Sequence, residues 1–507
     1  MEGKFSRSKN TFRNMFTGLS TQIINNIFQF ICRTVFIETL GKEYLGLSGL
    51  FINILQILNL AELGFASTIM YTLYGAIYSK DEKKINSLMT FFKKVYLLVG
   101  IVILIIGLGL MPFLNFIVKD VSNNINIHFY FFIYLVQAIV SYFFFAYKSV
   151  LLEADQKRYV ADIYTFFTNV LMNILQIISL IVFKSFSIYI CISIFTTILK
   201  NILISISVDK KYPYIKNKSE RLSSIEEKGI LKKVYAMGLY KISDVIVNST
   251  DTIIISSFIS VSLVGIYSNY MMIFGVIRLV IANVFNSFTA SVGNLLVSGY
   301  REYNEFIFRC INFINFWITG ICSVCFLILF QDFIYLWIGN TYLLNYSTVF
   351  ILVINFMTIY LYNAVKTYKD ATGLFEKGKY RPVFTSLLNL ILSIYLANEY
   401  GISGIFLGTI VARMSTTWWF DAWLIYKYTF SMSPKNYFLR YIRSVIIILV
   451  SYYITKIITD LFHGISWTNL ILKLIIVLLT TNSIYFLLFY RSEEFKYLLQ
   501  KVRKTNE

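Results

Sequence analysis

Residues 240–258 read YKISDVIVNSTDTIIISSF, a run that is apolar enough to cross a bilayer but carries polar side chains at regular intervals. A membrane-spanning helix needs about 20 mainly apolar residues. The polar positions Lys241, Asp244, Asn248 and Asp251 are separated by 3, 4 and 3 residues, so a helix would present all of them on one face. The stretch therefore predicts a membrane helix with a single polar stripe.

The whole chain has a membrane composition. Of its 507 residues, 57% are hydrophobic, and the mean hydropathy is +0.66, whereas soluble domains are about 45–50% apolar. Long apolar runs recur and predict an all-α polytopic membrane protein with about fourteen transmembrane helices. The predicted spans are residues 12–38, 44–76, 91–118, 126–150, 159–183, 186–207, 229–258, 262–295, 304–331, 341–365, 380–398, 401–427, 438–460 and 467–490.

The net charge of +19 is distributed unevenly over the connections. About 35 of the 46 Lys and Arg residues fall on connections that this topology puts on one side of the membrane, together with both termini. Cytoplasmic loops are the ones that carry such an excess, so both termini are predicted in the cytoplasm. The basic excess is thereby explained as a topology signal and an attraction to anionic membrane lipids, and no nucleic-acid partner is predicted.

The longest polar stretch predicts the domain organisation. It begins near residue 208 and follows the sixth predicted helix. The prediction is an N-lobe of helices 1–6, a cytoplasmic linker, a C-lobe of helices 7–12, and two further helices with a cytoplasmic tail. Two six-helix lobes joined by a linker follow the internal-repeat pattern of many transporters. The predicted limits are residues 1–207, 208–228, 229–427 and 428–507.

The two halves also share a register of polar positions. A shift of 219 residues places Gln22 on Lys241, Gln29 on Asn248 and Gly46 on Gly265. Each predicted lobe therefore opens with a helix that carries a polar stripe. Further polar side chains interrupt the second, eighth and twelfth predicted helices, namely Asn59, Glu62, Arg278 and Arg413.

The charges within the predicted spans need partners. A charged side chain facing lipid at mid-bilayer costs about 2.5–3.5 kcal/mol, so Lys241, Asp244 and Asp251 cannot all face lipid. Two interpretations stay open. Lys241 and Asp244 could neutralise each other as neighbours on the helix, or the stripes could line a water-filled cavity between the lobes. Polar faces on several helices favour the cavity, because one ion pair would not require them.

The residue types in this predicted cavity indicate its chemistry. The cations, whose guanidinium groups suit phosphate, are candidates for binding an anionic head group. Amides, which both donate and accept hydrogen bonds, suit sugar hydroxyls, and the carboxylates are candidates for H⁺ or Na⁺ coupling or for charge balance. The predicted substrate-binding residues are Arg33, Lys241, Arg278, Arg413, Gln29, Asn59 and Asn248, and the predicted carboxylates are Glu62, Asp244 and Asp251.

No catalytic, cofactor or metal site is predicted. The chain has no phosphate-binding Gly-x-x-x-x-Gly-Lys-Ser/Thr run that would indicate an ATPase. Its two histidines, His128 and His463, stand far from any Cys or carboxylate group with metal-ligand spacing. The sequence therefore favours a transporter over an enzyme.

Two longer stretches carry a family resemblance. Residues 40–76, LGKEYLGLSGLFINILQILNLAELGFASTIMYTLYGA, and residues 371–412, ATGLFEKGKYRPVFTSLLNLILSIYLANEYGISGIFLGTIVA, resemble the Wzx-type polysaccharide repeat-unit flippases of the multidrug/oligosaccharidyl-lipid/polysaccharide exporter (MOP) superfamily. The resemblance implies a MATE-like fold of two six-helix lobes, with alternating access, in the bacterial cytoplasmic (inner) membrane. It also implies a substrate of undecaprenyl-diphosphate-linked oligosaccharide, used for capsule or O-antigen, and other polysaccharide-assembly proteins as partners.

The resemblance carries over to some site residues and not to others. In related flippases of lipid-linked peptidoglycan precursors, arginines on helices 1, 2 and 8 line the cavity. Arg33 and Arg278 match two of these helices by position, whereas the second helix offers Asn59 and Glu62. An ion-coupled multidrug antiporter of the same fold is the alternative function, and it would favour an acidic cavity. A membrane polysaccharide polymerase is a weaker alternative.

Overall fold

The structure, a computed structural model, describes residues 2–59, 65–217, 221–297, 300–374, 376–378 and 380–506, and their regular structure is entirely helical. Within these residues, nine helices are long and apolar enough to cross a membrane, or ten if the bent pair Ile127–Phe143 and Ala146–Ala154 forms one span. The prediction of an all-α, multi-pass membrane protein is therefore confirmed. The number of fourteen spans is compatible with these helices and stays a prediction.

The chain divides into two compact units, and the first comprises Met1–Gly265. Its helices are α1 (Glu2–Leu58), α2 (Phe65–Tyr78), α3 (Glu82–Leu110), α4 (Leu114–Ile117), α5 (Ile127–Phe143), α6 (Ser149–Ala154), α7 (Arg158–Phe183), α8 (Phe186–Lys211) and α9 (Ser224–Ile254). A π-helical segment, Ile255–Ile259, ends α9.

The second unit comprises Ile266–Glu507. Helix α10 (Val261–Val297) begins in the first unit and continues into the second. The helices that follow are α11 (Arg301–Ile338), α12 (Tyr346–Tyr360), α13 (Asn363–Thr372), α14 (Arg381–Arg413), α15 (Trp419–Ile425), α16 (Lys435–Thr459), α17 (Trp467–Phe489) and α18 (Glu493–Asn506). The lobe limits predicted from the sequence stay a prediction.

Two glycines divide helices that are longer than one span. Gly41 in α1 has a φ of +79° and Gly401 in α14 has a φ of +59°. Both lie in the left-handed region, which glycine adopts without the steric cost of a Cβ atom. Gly41 falls in a predicted connection and Gly401 is the first residue of a predicted span, so α1 and α14 each contain two helices that meet at a glycine.

In the first unit, the core forms where α1 packs against α7 and α8 packs against both α5 and α7. Aromatic rings fill this core, with Phe36 and Phe186 in edge-on contact at 5.8 Å between ring centroids. Phe51 and Phe131 make a second such contact at 5.3 Å. Helix α9 packs along α1 and α2, so the helix with the predicted polar stripe is part of this unit.

Two glycines allow α1 and α10 to touch through their backbones. A Cβ atom on Gly46 would lie 2.0 Å from the carbonyl oxygen of Val261, and one on Gly265 would lie 2.3 Å from that of Lys42. Small residues permit this close approach of membrane helices. Gly46 and Gly265 are the same two glycines that the shift of 219 residues places on each other.

The second unit is built around α11, which packs against α12, α16 and α17. Gly320 on α11 makes room for the Tyr485 hydroxyl of α17, because a Cβ atom there would lie 2.2 Å from it. The two halves of α14 pack closely through Gly404 and Gly408. Asn389 donates a hydrogen bond to Thr409 across this contact at 2.8 Å.

Polar contacts fix the start of α9. Ser223 caps the helix by accepting from the Glu226 backbone at 3.3 Å, and the Glu226 side chain accepts in return from the Ser223 backbone. This reciprocal arrangement satisfies two backbone donors of the first turn. The Lys84 ammonium of α3 also donates to Glu226, and this contact lowers the pKa of the Glu226 carboxyl below its usual range.

We expect Gly46→Ala to lower stability because the new methyl group would overlap the Val261 carbonyl, and overpacking of this kind costs about 1–3 kcal/mol. The matched control is Gly75→Ala on α2, where a Cβ atom meets no other atom within 4 Å. Since alanine favours a helix over glycine, the control should unfold at the same temperature as the original protein or higher. Thermal unfolding of both variants in detergent measures the difference. Equal melting temperatures for the two variants would contradict the close contact.

Candidate functional site

The first unit contains a polar cavity of about 440 Å³. Helices α3, α5, α6, α7 and α8 form its walls, and the end of α1 contributes one residue. The volume lies within the range of about 300–1,000 Å³ that is typical of small-molecule sites. Hydroxyl, amide and charged side chains line it, among them Asn59, Ser141, Tyr142, Asp162, Lys200 and Asn201.

The most unusual group in the cavity is the Lys200 ammonium. Lys200 is half-buried on α8 and lies 14 residues after Phe186 and 11 before Lys211. At about 1.5 Å per residue it is roughly 16 Å from the nearer end of the helix. Within the part of the chain that the structure describes, no carboxylate pairs with it. A lysine that faces lipid at mid-bilayer costs about 2.5–3.5 kcal/mol on the insertion scale.

The neighbouring residue, Asn201, also carries a hydrogen-bond donor that is unsatisfied within the described residues. Its side chain is 4% exposed and lines the same cavity. Its Nδ2 atom has no hydrogen-bond partner among the described residues. Buried donors of this kind are rare in folded proteins, and each one calls for an explanation.

The cavity also carries a cluster of one cation and two carboxylates. The Arg158 guanidinium donates to Glu153 at 2.9 Å and pairs with Asp162 at 3.6 Å. The Arg158 side chain is 60% exposed, so the cavity is accessible at this cluster. The polar lining therefore includes both exposed ionic groups and the half-buried Lys200.

The structure places the predicted residue Asn59 in this cavity. Asn59 accepts a hydrogen bond from the Tyr142 hydroxyl at 3.3 Å. Lys200 and Asn201 were not among the predicted site residues, although a single lysine inside the apolar run that starts at Phe186 is a recognisable signal. A charged residue within a span is by itself a reason to expect function.

A buried ionic cluster in the second unit joins α13 to α15. The Lys369 ammonium lies 2.9 and 3.0 Å from the two carboxylate oxygens of Asp421. Both side chains are excluded from solvent, at 2% and 0% exposed. Arg381 approaches the same carboxylate at 3.4 Å, and the Tyr362 hydroxyl also donates to it. Asp421 thus holds two cations at the point where α12 breaks into α13.

The first unit contains a comparable cluster at a comparable place. Lys148 is 7% exposed and follows the break between α5 and α6. Its ammonium donates to Ser205 at 2.8 Å and pairs with Asp209, and both partners lie on α8. In each unit, a lysine after a helix break therefore binds an aspartate on a later helix. This recurrence agrees with the internal repeat that the sequence predicts.

Two of the predicted arginines lie in the second unit. Arg413 on α14 is half-buried and donates to Asn355 at 2.7 Å and to Thr358 at 2.8 Å, both on α12. Arg278 on α10 is exposed. The structure thus places these two predicted cations in one unit.

The other predicted residues lie in the first unit. On α1, Gln29 is exposed and Arg33 is half-buried. Asp251 is buried on α9, at 6% exposed. Glu62 lies outside the described residues, and so do the side chains of Lys241, Asp244 and Asn248, whose backbone is part of α9. No three His, Cys, Asp or Glu side chains in the described segments gather in a way that could hold a metal ion.

A basic cluster in the second unit surrounds an opening of about 380 Å³. Arg309 and Arg440 both pair with Glu305, at 3.1 and 3.0 Å. Arg309 also reaches Glu493 and Glu494 at the start of α18. Because carboxylates already hold these arginines, the cluster joins α11, α16 and α18 and is a poor candidate for binding an anionic substrate.

Comparison with known proteins identifies the fold. No family model matches the chain, and no curated protein matches its sequence. Among solved structures, the chain is similar to the lipid II flippase MurJ in an inward closed conformation, with a TM-score of 0.67 and 16% identity over 94% of this chain and 99% of that one. It is also similar to an inward-facing multidrug resistance MATE family transporter of the MOP superfamily, with a TM-score of 0.62 and 16% identity over 77% of this chain and 91% of that one.

A third similar structure is a MOP superfamily transporter from Pyrococcus furiosus, with a TM-score of 0.52 and 15% identity over 81% of this chain and 93% of that one. At these identities the comparisons show a shared fold. The predicted MATE-like fold is therefore confirmed.

We expect Asp421→Asn to destabilise the protein more than Lys369→Met. Removing Asp421 leaves two buried cations without their carboxylate, whereas removing Lys369 leaves Asp421 paired with Arg381. Breaking a buried ion pair costs about 3–5 kcal/mol when a charge is left uncompensated. Melting temperatures in detergent show which of the two variants is less stable.

The control for this pair is Lys84→Met, which breaks the exposed contact with Glu226 and should cost at most about 1 kcal/mol. If Lys369→Met were the less stable of the two buried variants, the assignment of Asp421 as the shared partner of two cations would be wrong.

Proposed function

We propose that the chain is a flippase that translocates undecaprenyl-diphosphate-linked oligosaccharide repeat units across the bacterial cytoplasmic membrane by alternating access. The observation that carries the proposal is the extent of the shared fold. The structural match to the lipid II flippase covers 94% of this chain, whereas the match to the multidrug transporter covers 77%. Lipid II, the substrate in that flippase's name, suggests a lipid-linked substrate here, and both termini are proposed to be cytoplasmic.

The charge of the candidate residues supports an anionic head group. Arg278 and Arg413 lie in the second unit, where Arg413 contacts α12, and Arg33 lies half-buried in the first. Arginine is suited to phosphate because its planar fork can donate two parallel hydrogen bonds. We assign these three residues, with Lys241, to the diphosphate, and we assign Gln29, Asn59 and Asn248 to sugar hydroxyls.

Transport against a gradient needs a driving ion. We assign H⁺ or Na⁺ coupling, or the balancing of the cations, to Glu62, Asp244 and Asp251. Of these, Asp251 is buried on α9. A site with equal affinity on both sides of the membrane shifts no equilibrium, so the coupling ion has to bias one of the two open states.

The second candidate function is ion-coupled multidrug antiport. The TM-score of 0.62 with the multidrug transporter favours it. Cationic drugs require an acidic cavity, however, and the candidate residues include four cations. The two functions therefore predict opposite charge preferences in the substrate.

The purified chain in vesicles should move a fluorescent lipid-linked oligosaccharide from one leaflet to the other. Accessibility of the labelled sugar to a membrane-impermeant quencher measures the movement, with and without a proton or sodium gradient. A fluorescent cationic dye tested in the same vesicles should not be transported. Transport of the dye without transport of the lipid-linked sugar would contradict the flippase function and support the antiporter function.

We expect Arg278→Ala to lower the rate of lipid-linked oligosaccharide transport by about tenfold or more, since a hydrogen bond to a charged group contributes about 1.5–3 kcal/mol. The matched control is Arg301→Ala, which removes an exposed arginine at the start of α11 and should transport normally. Protein level and melting temperature separate a binding defect from misfolding. Normal transport by well-folded Arg278→Ala would remove Arg278 from the site.

A further inference from the structure

The polar cavity of the first unit is not accounted for by a head-group site made of arginines. Its lining includes Lys200, which has no carboxylate partner among the described residues. The two carboxylates of the cavity, Glu153 and Asp162, both pair with Arg158. The lining thus has as many carboxylates as cations, but in the described part of the chain Lys200 is the lining cation that contacts neither carboxylate.

Lys200 lies well inside α8, because its distance of 11 residues from the end of the helix is roughly 16 Å. By contrast, Lys148 in the same unit is paired with Asp209. A half-buried lysine that makes no ion pair with the described residues, in a cavity that is accessible from outside, is suited to a ligand that carries a negative charge.

The remaining walls define the rest of the ligand. Next to Lys200 stands Asn201, whose Nδ2 donor is unsatisfied within the described part of the chain. Ser141, Ser149 and Thr165 add hydroxyl groups, which both donate and accept hydrogen bonds. Apart from the alanines and one isoleucine, the lining side chains are polar. Such a lining suits a polyhydroxylated molecule better than an apolar or a flat aromatic one.

We propose that this cavity binds a sugar residue that carries an anionic group, with the Lys200 ammonium as the counter-ion and with Asn201 and the hydroxyl groups as partners for the ring. The inference rests on the proposed function, and it narrows the substrate to oligosaccharides that contain an acidic sugar. The anionic group is a carboxylate, as in a uronic acid, or a phosphate ester.

The experiment measures binding of free sugars to the purified full-length chain by calorimetry. The probes are D-glucuronate, D-glucose 6-phosphate, D-glucose and inorganic phosphate. The expected result is that one of the sugar anions binds at least about tenfold more tightly than glucose, the effect of one charge-assisted hydrogen bond. Tighter binding of glucuronate than of glucose 6-phosphate identifies the anionic group as a carboxylate. The reverse order of affinities identifies it as a phosphate ester.

Two lysine variants test the counter-ion. Lys200→Met should lose at least about tenfold of the affinity for the preferred anion and should no longer distinguish it from glucose, whereas Lys200→Arg should retain the preference. The matched control is Lys210→Met, an exposed lysine in the last turn of the same helix, which should bind like the original chain.

Three outcomes would overturn the inference: equal binding of glucose and both sugar anions by the original chain, a preference that survives in Lys200→Met, or inorganic phosphate binding as tightly as the sugar anions. The first and the third need no variant, so misfolding of Lys200→Met cannot rescue the proposal. The vesicle assay with the original chain is a separate readout. Transport of a lipid-linked oligosaccharide without any preference for free sugar anions would leave the flippase standing and remove the acidic-sugar site.

Discussion

A charge buried inside a helical bundle is costly without a partner, and two buried ion pairs of the described structure meet this constraint. Lys369 and Asp421 are almost fully excluded from solvent, yet each faces its opposite charge. Lys148 and Asp209 meet the same requirement in the first unit. The cost of an unpaired charge in lipid rivals the cost of losing a well-packed core side chain, so each pair strongly limits how its helices can be arranged.

These pairs also explain why the broken helices are tolerated. Where a helix breaks in lipid, its free backbone groups are costly unless protein surrounds them. The breaks before Lys148 and before Lys369 lie inside their units, next to the helices that carry Asp209 and Asp421. The irregular backbone and the buried ion pair therefore occupy one protected place, and the pattern recurs in both units.

The sequence predicted the membrane class and the MATE-like fold, because apolar runs and helical spacing act locally along the chain. It could not show which side chains face one another. Lys369 lies buried on α13, and its partner Asp421 is 52 residues away in the chain. Arg413 was visible as a charge within a span, but its contacts with Asn355 and Thr358 depend on the packing of α14 against α12. Lys200 was also visible as a charge within a span, although it was not among the predicted site residues.

The π-helical segment Met414–Trp418, which follows α14, widens the helix just before Asp421. The neighbouring helix is irregular at the matching level, since α12 ends at Tyr360 and α13 begins at Asn363. Arg413 contacts the helix before that break, and Asp421 contacts the helix after it. The π-helical segment in one helix therefore lies beside the interruption in the other. A natural insertion or deletion in either segment would turn one contact away from its partner, so homologous chains should gain or lose the two irregularities together.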